Sequence, residues 1–297
     1  MRQRIISGAI GICLFITVLF FRDTPLFNLV ISLLSVLALW EIFAATGYIK
    51  NKLLLILCEI FAAIVPFFRG PYFNLSSRTA CLLFILCLFA LMLFDHNKIR
   101  LEQVGLCFMM SVIIPFAFST LVYLRDMYKE VGRHNLQYMD GLFFIILATA
   151  GAWVPDIGAY FIGRVLGRHK LAPNISPKKT VEGAVGGLLC NVVFFILYGL
   201  LYQAVVRGQI LRWLDLEDHY YPTAHVSILA LALISIACTA ASILGDLSAS
   251  FIKRSCNIKD FGNILPGHGG VLDRFDSFLL VAPLTYVIAC YVPIIIR

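Results

Sequence analysis

The sequence predicts an all-α integral membrane protein that crosses the bilayer about nine times. Three observations carry that prediction. Of 297 residues, 60% are hydrophobic and 14% charged, and the mean hydropathy is +0.89; soluble domains carry roughly 45–50% apolar and about 25% charged residues. The apolar residues arrive in runs of about membrane-spanning length, from one end of the chain to the other. Those runs lack the alternation of barrel strands, and helices are the other structure that satisfies its own backbone in lipid.

Residues 1–21 start basic and turn apolar, as a signal peptide does. No small-residue cleavage site follows and a second run begins almost at once, so an uncleaved first helix over 5–21 is expected. Further spans are expected over 24–46, 53–68, 79–94, 104–124, 141–166, 183–206, 226–252 and 276–296. The third and fourth are short against the roughly 20 residues a span needs. By motif content the chain divides at 140: five helices in 1–140, then a catalytic part over 141–297 with four helices and two polar loops. Of nine cysteines, all but Cys256 lie inside apolar runs and none forms a C-x-x-C pair. They read as small buried hydrophobes rather than as disulfides or zinc ligands.

The net charge is +7, but no face or helix accumulates it, which argues against a nucleic-acid partner. Lys and Arg sit at the ends of the apolar runs. With the N-terminus in the cytoplasm, fifteen of the 24 fall on inner segments and nine on outer ones, so a cytoplasmic N-terminus and an external C-terminus are expected. Asp156 and Asp246 then lie inside spans, roughly 15 and 9 Å from their inner ends at ~1.5 Å per residue. Asp276 sits where the ninth span enters from the same side. A carboxylate within a span faces the bundle interior or a water-filled cavity and has a partner. Glu41 and Glu59 read as interhelical hydrogen bonders; Asp156 and Asp246, flanked by charged loops, read as functional.

The first loop, 164–187, is RVLGRHKLAPNISPKKTVEGAVGG. Adjacent Lys178 and Lys179, hydroxyls including Ser176, and several glycines suit a polyphosphate; a basic topology loop with a proline-ordered turn fits equally. The second loop ends in GNILPGHGGVLDRFDS at 262–277. Asp246, Asp273 and Asp276 offer oxygen ligands for one hard cation such as Mg²⁺, which takes one or two protein carboxylates with waters and substrate phosphates. Asp273 and Asp276, three apart, share a face if helical. Lys253, Arg254, Lys259 and Arg274 would neutralise phosphate oxygens, and the glycines allow an anion nest. His268 has three readings: phosphate donor, general acid or base, or turn residue. The Walker A spacing is absent. Together these features point to metal-assisted phosphoryl or nucleotidyl transfer at the cytoplasmic membrane face, chemistry that consists largely of positioning and charge neutralisation.

Ser250, Lys253-Arg254, Lys259-Asp260, His268-Gly269-Gly270 and Asp273-Arg274-Phe275-Asp276 closely resemble the signature of the phosphatidate cytidylyltransferases, also called CDP-diacylglycerol synthases. ISPKKTVEG at 175–183 and the W-x-x-D-x-x-A-Y run at 153–160, which contains Asp156, match as well. The resemblance implies transfer of cytidylyl from CTP to phosphatidate, giving CDP-diacylglycerol and diphosphate. It implies Asp246 and Asp276 as ligands of Mg²⁺, with room for a second cation, and Asp273 as their support or the orienter of Arg274. It implies Lys178, Lys179, Lys253, Arg254 and Lys259 as phosphate contacts. A bacterial inner or plasma membrane location is expected, with membrane lipids as neighbours and room for a homodimer. The chain departs from the pattern at Ala249, where an acidic residue is common. Two rivals remain on composition: a transporter would spread its charges along a path to the outer face, and a CDP-alcohol phosphotransferase would carry an aspartate-rich helix motif that this sequence lacks.

Overall fold

A computed structural model of the chain describes residues 2–68, 76–129, 136–208, 223–265, 267 and 269–297. The apolar runs are helices: α1 (Arg2–Phe20), α2 (Pro25–Thr46), α3 (Lys52–Ile64), α4 (Ser77–Phe94), α5 (Leu101–Arg125), α6 (Tyr138–Leu166), α7 (Val181–Val206) and α8 (Ile228–Ser255). The one-turn α9 (Leu272–Phe275) precedes α10 (Phe278–Tyr291). Among the described residues six helices are long and apolar enough to cross a membrane, namely α2 and α4 to α8. Ser7–Phe20 and Phe278–Tyr291 are shorter apolar helices.

Two expected spans are shorter as helices, and in each a proline stands at the break. α3 stops at Ile64 and the chain tightens into a 3₁₀ turn at Val65–Phe67, because Pro66 has no N–H to continue the ladder. Carbonyls freed there are satisfied from α2: Ser32 Oγ donates to Ala63 O and Asn28 Nδ2 to Pro66 O, both at 2.8 Å. The expected span 276–296 yields a helix that ends at Tyr291, ahead of Pro293. The chain then forms β4 (Ile295–Ile296), antiparallel to β3 (His225–Val226). A second pair of strands, β1 (Lys170–Ala172) and β2 (Ser176–Thr180), folds within the first polar loop, so the all-α expectation is amended by two small antiparallel ribbons.

Packing divides the chain into two compact units. The first comprises Met1–Tyr123 with Phe251–Leu279. Phe61 stacks on Phe84 with ring centroids 4.1 Å apart, tying α3 to α4. Phe118 of α5 packs against Phe275 and Phe278 at 5.3 and 5.6 Å, and such aromatic contacts hold the chain around α9 by its apolar face. Polar turns are fastened to each other: Tyr48 donates to Glu102 at 2.6 Å, Gln103 to the Tyr48 carbonyl at 2.8 Å, and Asn51 to Asp95 at 2.9 Å.

The second unit comprises Leu124–Ser250 with Leu280–Arg297. Its α6 and α7 approach until backbones nearly touch. A Cβ on Gly187 would lie 2.4 Å from the Pro155 carbonyl oxygen, and one on Gly158 would lie 2.8 Å from the Cys190 Cβ. Asp140, fully buried at the start of α6, accepts from Arg297 Nη1 and Nη2 at 2.5 and 2.7 Å, from the Gln137 N–H at 2.5 Å and from the Tyr202 hydroxyl. A buried carboxylate is tolerated on such terms, paired and hydrogen-bonded throughout.

Candidate active site

In the first unit the second polar loop is built from the end of α8. Asn257 adopts left-handed φ (54°) and Ile258 N–H bonds back to the Lys253 carbonyl, closing the helix. Gly267 and Gly269 also have positive φ, and Leu265 N–H bonds to the Gly269 carbonyl at 2.9 Å, giving a tight turn that side chains would strain. His268 lies outside the described residues.

Asp273 fastens this loop. One oxygen is 2.8 Å from Lys253 Nζ; the other accepts the N–H groups of Phe261 at 2.8 Å and Gly270 at 3.1 Å. Asp276 follows one turn later with helical φ and ψ, so the two carboxylates share a face as their spacing predicts. Its Oδ2 is 3.9 Å from the same Lys253 Nζ, and its Oδ1 accepts the Ser277 N–H at 2.8 Å. The Lys253 ammonium also lies 5.1 Å from the centroid of the Phe261 ring. The three side chains are 12%, 5% and 10% exposed for Lys253, Asp273 and Asp276, so this is a largely buried charge network. Around it Arg254, Lys259, Asp260 and Arg274 are exposed.

A further acid enters this loop without having been assigned to it. Glu41, in the membrane helix α2 and 0% exposed, accepts the N–H of Val271 at 2.9 Å on Oε1 and that of Leu272 at 2.8 Å on Oε2. The sequence signal was the lone carboxylate in an apolar run; its partners, two backbone amides, have none. Glu59, read the same way, has a buried Oε2 with no hydrogen-bond partner among the described residues.

The second unit holds the other polar loop. β1 and β2 pair with Lys170 opposite Thr180 and Ala172 opposite Ser176. Thr180 caps α7 by accepting the Gly183 N–H at 3.2 Å, and Glu182 accepts the Arg168 N–H at 3.0 Å and lies 2.6 Å from His169 Nδ1. Thus the Thr-Val-Glu-Gly half of the motif anchors the hairpin. Its Lys-Lys half is split by strand geometry, which sends neighbouring side chains to opposite faces. Lys179 pairs with Asp246, while Lys178 is exposed; Ser176 and Ser250 are half-buried.

Asp246 ends a polar seam on α8 formed by Ser235, Thr239 and Ser242, at helical spacing. Asn191 of α7 donates to the Ser235 carbonyl and Thr239 Oγ1, and Ser242 donates to the Ala152 carbonyl of α6 at 3.2 Å. A Cβ on Gly151 would lie 3.2 Å from the Cys238 Cβ, a second close approach of α6 to α8. Asp156 and Asp246 each lie one turn beyond the Ala152–Ser242 contact. α8 continues to Ser255, three residues past the expected span end, so Asp246 is nine residues from its terminus, roughly 14 Å.

The fit to Mg²⁺ can be judged from the donors. Asp246 and Asp276 offer carboxylate oxygens, the chemistry a hard cation takes, and among the described residues no three His, Cys, Asp or Glu side chains gather into a metal-ligating cluster. Water and substrate phosphates would therefore complete any coordination shell.

Fold and site together define a multi-helix membrane protein whose polar loops carry carboxylate–ammonium pairs. The chain belongs to the cytidylyltransferase family, an enzyme family whose sequence profile matches residues 2–292. It is similar to the phosphatidate cytidylyltransferase of Bacillus subtilis (strain 168), with 32% identity over 294 residues and 96% of each chain covered. Proteins of the same name from Staphylococcus haemolyticus (strain JCSC1435) and Staphylococcus saprophyticus are 31% and 30% identical, over 96% of this chain and 97% of theirs. The resemblance drawn from the motifs is thereby extended to the N-terminal helices.

Proposed function

We propose that this protein transfers cytidylyl from CTP to phosphatidate, forming CDP-diacylglycerol and diphosphate for phospholipid biosynthesis. The observation that carries the reading is its similarity, over nearly the whole chain, to proteins named for that activity. The ion-paired set of Lys253, Asp273 and Asp276 within the matching motif supports it.

A phosphate oxygen of phosphatidate attacks the α-phosphorus of CTP. That P–O bond forms as the bond from the α-phosphorus to the α,β-bridging oxygen breaks, and diphosphate leaves with the electron pair. The barrier is chiefly the approach of anions. Exposed Lys178, Arg254, Lys259 and Arg274 neutralise the triphosphate and the lipid headgroup, with Ser176, Ser250 and His268 as further donors. Lys179 and Lys253 hold Asp246 and Asp276 in place. A bound Mg²⁺, held by Asp246 and Asp276, would supply charge neutralisation at the reacting phosphates. Asp156 and Asp260 belong to the substrate-binding surface, which is assigned to 141–297.

The same reading places nine spans in a bacterial inner or plasma membrane, with the N-terminus and the site in the cytoplasm. The distribution of Lys and Arg supports that orientation. So does the contact between Glu41, near the C-terminal end of α2, and the loop at 271–272. A homodimer and a second cation are compatible with it.

The test is purified protein with CTP, phosphatidate and Mg²⁺: release of diphosphate and formation of CDP-diacylglycerol are expected. No product under varied lipid and metal conditions would reject the assignment. Asp246→Asn and Asp276→Asn should each abolish turnover in a folded protein, and near-normal rates in either would remove it from the proposed ligand set.

A further inference from the structure

Glu41 occupies a position that a membrane helix tolerates only for a reason. Burying a carboxylate is costly, and an interhelical bond from another side chain would be the ordinary way to offset the cost. Glu41 instead spends both oxygens on consecutive backbone amides, Val271 and Leu272, immediately before Asp273. Two glycines of the same loop close around it: a Cβ on Gly262 would lie 2.5 Å from Oε1, and a Cβ on Gly270 2.5 Å from Oε2. The loop is shaped to the carboxylate, and the carboxylate is matched to the loop.

The next residue continues the arrangement. Asp273 takes the amides of Phe261 and Gly270 and the Lys253 ammonium. Glu41 and Asp273 therefore grip overlapping stretches of one loop, 261–272. Asp276 follows one turn on, held 3.9 Å from the same Lys253.

We propose that Glu41 is a positioning residue for the transfer reaction, acting through the backbone of residues 270–272 to set the register of Asp273, Asp276 and Lys253. The proposal rests on the cytidylyl-transfer reading for its catalytic consequence and on the loop geometry alone for its structural one. Glutamine at 41 keeps the size but replaces one acceptor oxygen by a donor NH₂, which faces an amide N–H and cannot bond it. Aspartate keeps both acceptors on a shorter stem.

The experiment compares wild type, Glu41→Gln, Glu41→Asp and Glu59→Gln by steady-state kinetics and by amide hydrogen exchange. Glu41→Gln should lower kcat by about tenfold or more with the KM for CTP within about threefold of wild type. Exchange should accelerate at residues 270–273 and stay unchanged in peptides from 25–39. Glu41→Asp should recover part of both losses, and Glu59→Gln should leave the exchange of 270–273 as in wild type. A folded Glu41→Gln with kcat within about twofold of wild type, or with unchanged protection at 271–272, overturns the proposal. Should Glu41→Gln not fold, Glu41→Asp decides, and wild-type values of both readings overturn it. If wild type itself makes no product, the transfer reading falls, while exchange at 271–272 still reports whether Glu41 holds the loop.

Discussion

Lys178 and Lys179 show how far a single residue's role depends on local backbone. In sequence they are one doubly basic feature. On β2 they separate, Lys179 toward Asp246 and Lys178 toward solvent. Replacing Lys179 by Met should lower kcat roughly tenfold, because the half-buried Asp246 carboxylate loses its counter-charge. Replacing Lys178 by Met should raise the KM for CTP by a few-fold with kcat retained, as befits an exposed charge of modest worth. A kinetic comparison of the two variants tests this, and equal effects on kcat would refute it. The acids and bases of the motifs were legible because charge stands out in an apolar chain. The function of Glu41 was not, since its partners are main-chain groups 230 residues away, with no side-chain signature to mark them.

At the scale of elements, apolar runs found the helices and prolines decided where several of them stop. The runs alone overextended the third and ninth spans, because hydrophobicity continues past Pro66 and Pro293 while the hydrogen-bond ladder does not. They stopped α8 early for the opposite reason, since its last turn carries Lys253 and Arg254 and is still helical. Glycines were legible as small residues, but which of them matter depends on what faces them. Gly187→Ala puts a Cβ 2.4 Å from a carbonyl oxygen of α6 and should destabilise by about 1–3 kcal/mol. Gly105→Ala, on α5, meets nothing within 4 Å and should be neutral or stabilising by up to about 1 kcal/mol. Thermal melts in one detergent discriminate these, and a Gly187→Ala variant as stable as wild type would contradict the close packing of α6 on α7.

For the whole molecule, the proposed orientation rests mainly on the sum of many small charge preferences. A compartment-sensitive reporter fused after Arg297 should read the outer side of the membrane and one fused before Met1 the inner side. Both on one side would mean an even number of crossings. The helical membrane class was legible from composition. The grouping of 251–279 with 1–123 was not. Physical grouping there depends on contacts such as those of Glu41 and Phe118 with residues more than 150 positions downstream, and no periodicity encodes a pairing of that range.

The long reach of Glu41 also bears on biogenesis. α2 is synthesised and inserted well before residues 271 and 272 leave the ribosome, so its acid must enter the bilayer without the amides that later receive it. Until then it has to travel protonated or drag water with it. Docking of the glycine turn is thus a late event of maturation, the moment at which a group tolerated during insertion is fastened in place.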